Sequence, residues 1–512
     1  MENGESQWNL LLTMPKHLLN IAKPMFFWRY LLTVVFSSNL LIPYLGASPA
    51  VAQLNDYCQL SSTAIQNKEK LRLSAMRGNK EAKVRYREQV AQHAKGVQQC
   101  RNRNWLKVQA VWLRLYPCDI KPGALDRIMD QIVSKGYNAV YLETFYDGRV
   151  MLPAANNPTA WPSVVQMPEA KNADLLAAGI QKGRERGLKV YAWMYTANFG
   201  YSYAQRREKE SAIARNGKGQ TSLYVVNDGG NQVFIDPYSA EAKADYYRLV
   251  QEVVRRRPDG ILFDYIRYPR QSGTDSIATK VTDLWLYTEA TQQALFKRAQ
   301  NYKGLDLIRR FLSKGFISEA DISDVDQLYP QESEPLWQGR VIPSQKAILP
   351  ANLRQSQLQW DLWQLSVAHA MQGIIDFVTM ASNPAKQLGI PSGVVFFPDG
   401  NQVVGRGYDS RLQPWDRFPS SMEWHAMSYA NCGHAGCVAQ QVARVLSMAK
   451  SQTQVIPAIA GNWGESAKGR PPLEVQMQAL RQFAPRLRGV SHFAYSWQDP
   501  EDDSDRKFCR AQ

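Results

Sequence analysis

The chain has 512 residues, 45% hydrophobic, 11% aromatic and 21% charged, with a formal net charge of +15. That length exceeds one average domain but suits a single elaborated barrel with appendages, and the low charged fraction excludes wholesale disorder. The positive balance favours anionic cell-wall polymers or lipid head groups as partners; no recognition motif accompanies it, which argues against nucleic acid.

Residues 1–52 read as an export signal. Lys16, Lys23 and Arg29 precede an apolar run over 31–45, and Ala50-Val51-Ala52 offers a small-x-small cleavage site. The run is short for a bilayer span and is interrupted by Ser37, Ser38, Asn39 and Pro43, so a cleaved signal is expected over a retained anchor, which would be a membrane tether. The expected location is the periplasm or cell envelope.

Residues 53–104 form a basic, helix-prone hairpin appendage that breaks near Gly78-Asn79. From 105 to 512 short apolar runs recur at the spacing of β/α units: 108–115, 139–143, 189–195, 260–263, 393–397, 424–428, 454–458 and 490–495. Helical patterns separate most of them, with punctuation at Gly136 and Gly187 and a helix starting near Ser239. The predicted fold is α/β, a (β/α)8 TIM barrel with an N-terminal helical hairpin and a long insertion, 270–350, after strand 4. That insertion and the Gly/Pro/Asp-rich tract 398–422 both follow strands, so both belong on the C-terminal, catalytic face.

Six cysteines, at 58, 100, 118, 432, 437 and 509, are an even number behind an export signal and suggest disulfides. Among fifteen possible pairings, position favours Cys58–Cys100 across the hairpin, Cys432–Cys437 closing a small loop, and Cys118–Cys509 at the seam between first and last strands. His434 lies between Cys432 and Cys437, but the set is short of a zinc tetrad.

The most informative stretch is 259–269, Asp-Gly-Ile-Leu-Phe-Asp-Tyr-Ile-Arg-Tyr-Pro: a buried strand ending on the carboxylate of Asp264. An acid at the C-terminal end of a barrel strand is where such barrels carry catalysis. Alternation predicts that Leu262 and Asp264 face the barrel axis and that Ile261 and Phe263 face the helices.

This run, with Val111-Trp112-Leu113, Asn138 to Tyr141, Asp147-Gly148, Leu152-Pro153, the 187–193 strand and Asp236-Pro237, resembles the glycosyl-hydrolase-like family 10, a group of exported bacterial TIM-barrel hydrolases. The resemblance covers about 105–508. It implies hydrolysis of glycosidic bonds, with bacterial cell-wall glycan (peptidoglycan) as substrate, and matches Asp264 to the family's strand-end aspartate. Two departures stand out: Tyr265 replaces a second acid, and Ser428-Tyr429 stands where the family often has Gln-Tyr.

Glycosidic cleavage needs two carboxyls. Asp264 is the first; Asp399, Glu143 and Asp147 are candidates for the second, while Glu423 is discounted because it begins strand 6, near the barrel's bottom. Sugar rings pack on aromatic faces, which nominates Trp112, Tyr195, Phe199, Tyr265, Tyr268, Trp463 and Trp497 as platforms. Asn198, Arg267, Tyr429 and Asn462 are candidate hydrogen-bonding partners of sugar hydroxyls. No metal cluster, phosphate-cradling loop or Ser-His-Asp order is persuasive, so a hydrolase without cofactor is expected. The alternatives are a non-catalytic glycan-binding barrel and a wall- or membrane-associated scaffold acting through the basic hairpin.

Overall fold

The computed structural model describes residues 55–225, 232–342 and 348–510. The expected leader at 1–52 lies outside the described residues. Among the described residues no helix is long and apolar enough to cross a membrane.

Eight strands run in order around a barrel: β1 Val108–Leu113, β2 Ala139–Tyr146, β3 Lys189–Tyr195, β4 Gly260–Asp264, β5 Ser392–Phe396, β6 Glu423–Ala426, β7 Ala458–Ala460 and β8 Gly489–Phe493. Neighbours pair in parallel from β1 to β6, and β8 pairs with both β7 and β1. The remaining gap, between β6 and β7, is closed by two isolated parallel bridges, Trp424–Val455 and Met427–Ala458. The seventh strand therefore starts at the last residue of the predicted 454–458 run. Pro457, which has no N–H, interrupts the ladder ahead of it.

Two helices, α1 Ser62–Met76 and α2 Lys80–Arg103, form the hairpin, and Asn79 caps the second by accepting from the Ala82 N–H at 2.9 Å. Around the barrel lie α3 Ala124–Ser134, α4 Leu175–Arg184, α5 Ala240–Arg255, α6 Ala351–Gln387, α7 Ala435–Met448 and α8 Leu473–Phe483. Ser239 caps α5, and its buried face includes Ala242, Tyr246, Leu249, Val250, Val253 and Val254, as the 3.6-residue spacing predicts. The insertion after β4 carries three helices, at Glu289–Phe296, Tyr302–Lys314 and Glu319–Leu328. Its strand Ile277–Ala278 pairs with Gly407–Asp409, which pairs with Val403–Val404, so the loops after β4 and β5 share one small sheet.

Gly260 is required by its neighbour. A Cβ there would lie 2.4–2.6 Å from the Tyr191 ring, whose phenol donates to Glu423 at 3.1 Å. Gly260→Ala is expected to cost about 1–3 kcal/mol through overpacking, readable as a lower thermal midpoint. Glu423 therefore sits at this N-terminal end of the barrel, at the level of Gly260 and Tyr191 and away from that of Asp264.

All three predicted disulfides are present: Cys58–Cys100, Cys118–Cys509 and Cys432–Cys437. The second joins the chain after β1 to the chain after the C-terminal helix Pro500–Lys507, closing a separation of 391 residues. Arg506 reinforces the same junction with a buried pair of bonds to Asp119, at 3.0 and 2.7 Å. Replacing both Cys118 and Cys509 by Ser is expected to cost about 2–4 kcal/mol, chiefly by freeing the unfolded chain, measured by denaturant unfolding.

Candidate active site

At the end of β4, Asp264 turns inward at the level of Tyr195, its parallel neighbour on β3. Its Oδ1 accepts from the Tyr265 N–H at 2.6 Å and its Oδ2 from the Trp193 indole N–H at 3.0 Å. Tyr265 takes a left-handed backbone (φ 52°), which directs the chain away from the strand immediately after the acid. Only 6% of Asp264 is exposed. Burial pushes its carboxyl up to about 6, and the nearby Glu143 carboxylate adds to the rise, while the Tyr265 N–H, Trp193 and Arg267 pull it back.

Glu143, on β2, is 1% exposed and is gripped by both nitrogen arms of Arg114, one of them at 3.1 Å. The same guanidinium lies 3.7 Å from Asp147, whose side chain is 45% exposed and whose backbone is also left-handed (φ 47°). Burial pushes the Glu143 carboxyl up, against the pull of Arg114 and of the nearby Tyr195 phenol. Three of the four predicted carboxylates, Asp264, Glu143 and Asp147, thus form one electrostatic group at the C-terminal ends of β2 and β4. Asp399 lies apart from it in contact: its half-exposed side chain is taken up by Arg411 at 3.0 Å, which also binds Asp409.

The predicted platforms divide sharply. Tyr195, itself buried core, tilts against the partly exposed Tyr265 beside Asp264, their ring centroids 4.2 Å apart, and Arg267 lies over the Tyr265 ring at 4.6 Å. Tyr429, close enough to Asp264 for its phenol to feel that charge, stacks on Phe493 at 5.1 Å. Trp497 meets the Phe493 edge, and Lys468 and Arg470 lie over its ring at 4.7 and 5.0 Å.

Trp112, Tyr268 and Phe199 are corrections: all three are buried core. The Trp112 indole donates to Ser491 Oγ on the adjacent strand β8, and the Tyr268 phenol donates to the Ala370 carbonyl of α6. Trp463 is a further correction. It packs on His492, whose neighbour Ser491 points inward, so strand alternation puts Trp463 in the outer layer, where it bonds Tyr137 and touches Tyr57.

Among the predicted polar contacts, Arg267 is buried, donating to the Tyr268 carbonyl and stacked among Phe234, Tyr265 and Phe397, so it stiffens the loop and does not present its head to solvent. Asn198 is also buried; its Oδ1 accepts from the Gly200 and Val233 N–H groups and so builds the loop itself. Asn462 donates to Glu465 at 3.0 Å.

Three residues that matter at this site were not singled out in the sequence. Trp193 holds the acid, Arg114 joins Glu143 to Asp147, and Phe493 backs Tyr429 and Trp497. Trp193 lies two residues before Tyr195, on the same strand face, and Arg114 two after the inward Trp112; that period was the available signal. Cys432, His434 and Cys437 bring three ligand atoms within 4.8 Å, but both sulfurs are in the disulfide, which removes the thiolates a metal would need.

Residues 105–306 match the family described as glycosyl hydrolase-like 10. No curated protein matches the chain. Among solved structures the chain is similar to an exo-β-N-acetylglucosaminidase from Vibrio harveyi, with 9% identity and a TM-score of 0.40, covering 79% of this chain and 53% of that one. It is also similar to a β-N-acetylhexosaminidase from Bacteroides fragilis, with 11% identity and a TM-score of 0.39, over 79% and 65% of the two chains. A third likeness is to α-L-fucosidase isoenzyme 2 from Paenibacillus thiaminolyticus, with 13% identity and a TM-score of 0.37, over 78% and 48%. This chain spans about half the length of the first of these. The stretch that holds β1 to β4 and the Asp264 turn is therefore the part of this (β/α)8 barrel that is similar to glycosyl hydrolase-like 10.

Proposed function

We propose that the protein is an exported glycoside hydrolase acting on a cell-wall polysaccharide, with peptidoglycan glycan as the favoured substrate. The observation that carries this reading is the Asp264 carboxyl: at a barrel strand's C-terminal end, with its pKa raised to about 6 and a second carboxylate near enough to contribute to the rise. A carboxyl that keeps its proton up to about pH 6 is suited to protonating the leaving glycosidic oxygen. Glu143 or Asp147 then serves as nucleophile or as base for water, depending on which the sugar approaches. Tyr265, backed by buried Tyr195, and the Tyr429–Phe493 pair flank the acid as packing surfaces for sugar rings. Three disulfides agree with folding in an oxidising compartment.

One observation favours a second reading, a barrel that binds glycan without cleaving it: Asp264 is 6% exposed and Glu143 is neutralised by Arg114. Incubation of the pure protein with purified sacculi decides between them. Release of new reducing ends supports the hydrolase; saturable binding with no release supports the binding module.

A further inference from the structure

Away from the barrel mouth, a cleft of about 510 Å³ lies where the hairpin meets the barrel's helices. Five cationic side chains line it: Arg72 from α1, Lys83 and Arg87 from α2, Lys182 from α4, and Arg186 just beyond α4. Three of these are already paired. Arg72 pairs with Glu69 at 2.7 Å, Lys182 with Asp126 at 3.0 Å, and Arg186 with Asp126 and Asp130, both at 2.9 Å. The Tyr86 phenol is likewise engaged, donating to Asp130 at 2.6 Å and accepting from Arg186 at 2.8 Å.

Lys83 and Arg87 are different. Among the described residues their side chains have no hydrogen-bond or ion-pair partner. They stand one helical turn apart on the same face of α2, a like-charge spacing that slightly destabilises the helix and that a bound anion would relieve. The surrounding field enhances this. Residues 61–103 hold eleven Lys and Arg against three Glu, a net of +8 out of the chain's +15. Across the cleft, Asp126 and Glu185 are taken up by Lys182 and Arg186; Met76 and Val90 add apolar surface to the lining, and Met76 and Val84 are more than half exposed at this end of the hairpin.

We propose that this cleft binds a phosphate group, with Lys83 and Arg87 as its charge partners, and that the phosphate belongs to the headgroup of an anionic lipid. A guanidinium fork and a mobile ammonium together match a phosphate's oxygens and charge. The exposed Met76 and Val84 beside them match the apolar side of a bilayer's interface, which free phosphate does not offer. The site is independent of the hydrolase reading, since none of its residues belongs to the Asp264 group.

The test is co-sedimentation of the disulfide-bonded protein, without its leader, with vesicles of phosphatidylglycerol and phosphatidylcholine, against phosphatidylcholine alone. Calorimetry with soluble glycerol 3-phosphate forms a second arm. Lys83→Gln/Arg87→Gln is expected to weaken vesicle binding about tenfold or more. The control Lys70→Gln/Lys95→Gln removes the same charge from exposed positions outside the cleft and is expected to bind nearly as wild type. Glycerol 3-phosphate is expected to compete with the vesicles. Equal loss in both double variants, or no binding to either probe, overturns the site; binding of glycerol 3-phosphate without vesicle binding overturns the lipid as its source.

Discussion

Asp264→Asn is expected to cut release of reducing ends by about 10²–10⁴-fold, while glycan binding persists. The amide can neither give a proton to the leaving oxygen nor carry the charge that follows, and general acid catalysis of this kind contributes about 10²–10⁴-fold. In the wild type, the working form of Asp264 is the protonated one, so activity falls as pH rises through about 6. Glu143 contributes to that elevated value, so Glu143→Gln moves the fall to lower pH, whatever else it does to the rate. Stability carries the same signature. A carboxyl whose folded pKa lies above its unfolded one stabilises the fold fully below the unfolded value of 3.8, and the contribution is lost as pH rises through about 6. Asp264→Asn flattens that part of the stability profile, worth roughly 3 kcal/mol between its ends. A variant that retains full turnover sinks the assignment; one that loses turnover but keeps the wild-type stability slope shows that folding does not raise the pKa of Asp264.

Arg114→Leu is the second large expectation. Glu143 is fully buried, and Arg114 is the cation that compensates it. Removing one partner of such a pair leaves an uncompensated buried charge, at a cost of about 3–5 kcal/mol. The orphaned carboxyl then retains its proton to higher pH. The variant is expected to regain stability as pH is lowered and to lose it as pH rises, with unfolding measured from pH 4 to pH 8. The double variant Arg114→Leu/Glu143→Leu is expected to recover most of the loss, because it removes both charges together. An equal deficit in the double variant would show that Arg114 acts mainly by packing on Tyr146, over whose ring it lies at 4.3 Å.

The amino-acid sequence by itself determined the barrel, the hairpin and the three disulfides. Strand runs, helix caps and cysteine positions are local or depend only on chain order, so period 2, period 3.6 and the adjacency of first and last strands in a closed barrel suffice to read them. It also determined that Asp264 ends a buried strand, since a carboxylate closing an apolar run on a helix–strand unit can be recognised within eleven residues. Only the tertiary structure decided which aromatic and polar residues surround that acid. Trp112 and Trp193 lie on barrel strands facing the same interior and look equivalent in sequence. Yet the Trp112 indole donates to Ser491 on the neighbouring strand β8, while that of Trp193 reaches Asp264 on β4.

Likewise, Asp399 and Glu143 both follow or end apolar strands. Arg411, supplied by a loop that pairs with the distant insertion, takes up Asp399, whereas Arg114 keeps Glu143 at the site. These choices rest on contacts between residues far apart in the chain and on how much water each side chain loses. Neither leaves a period or a spacing in the sequence.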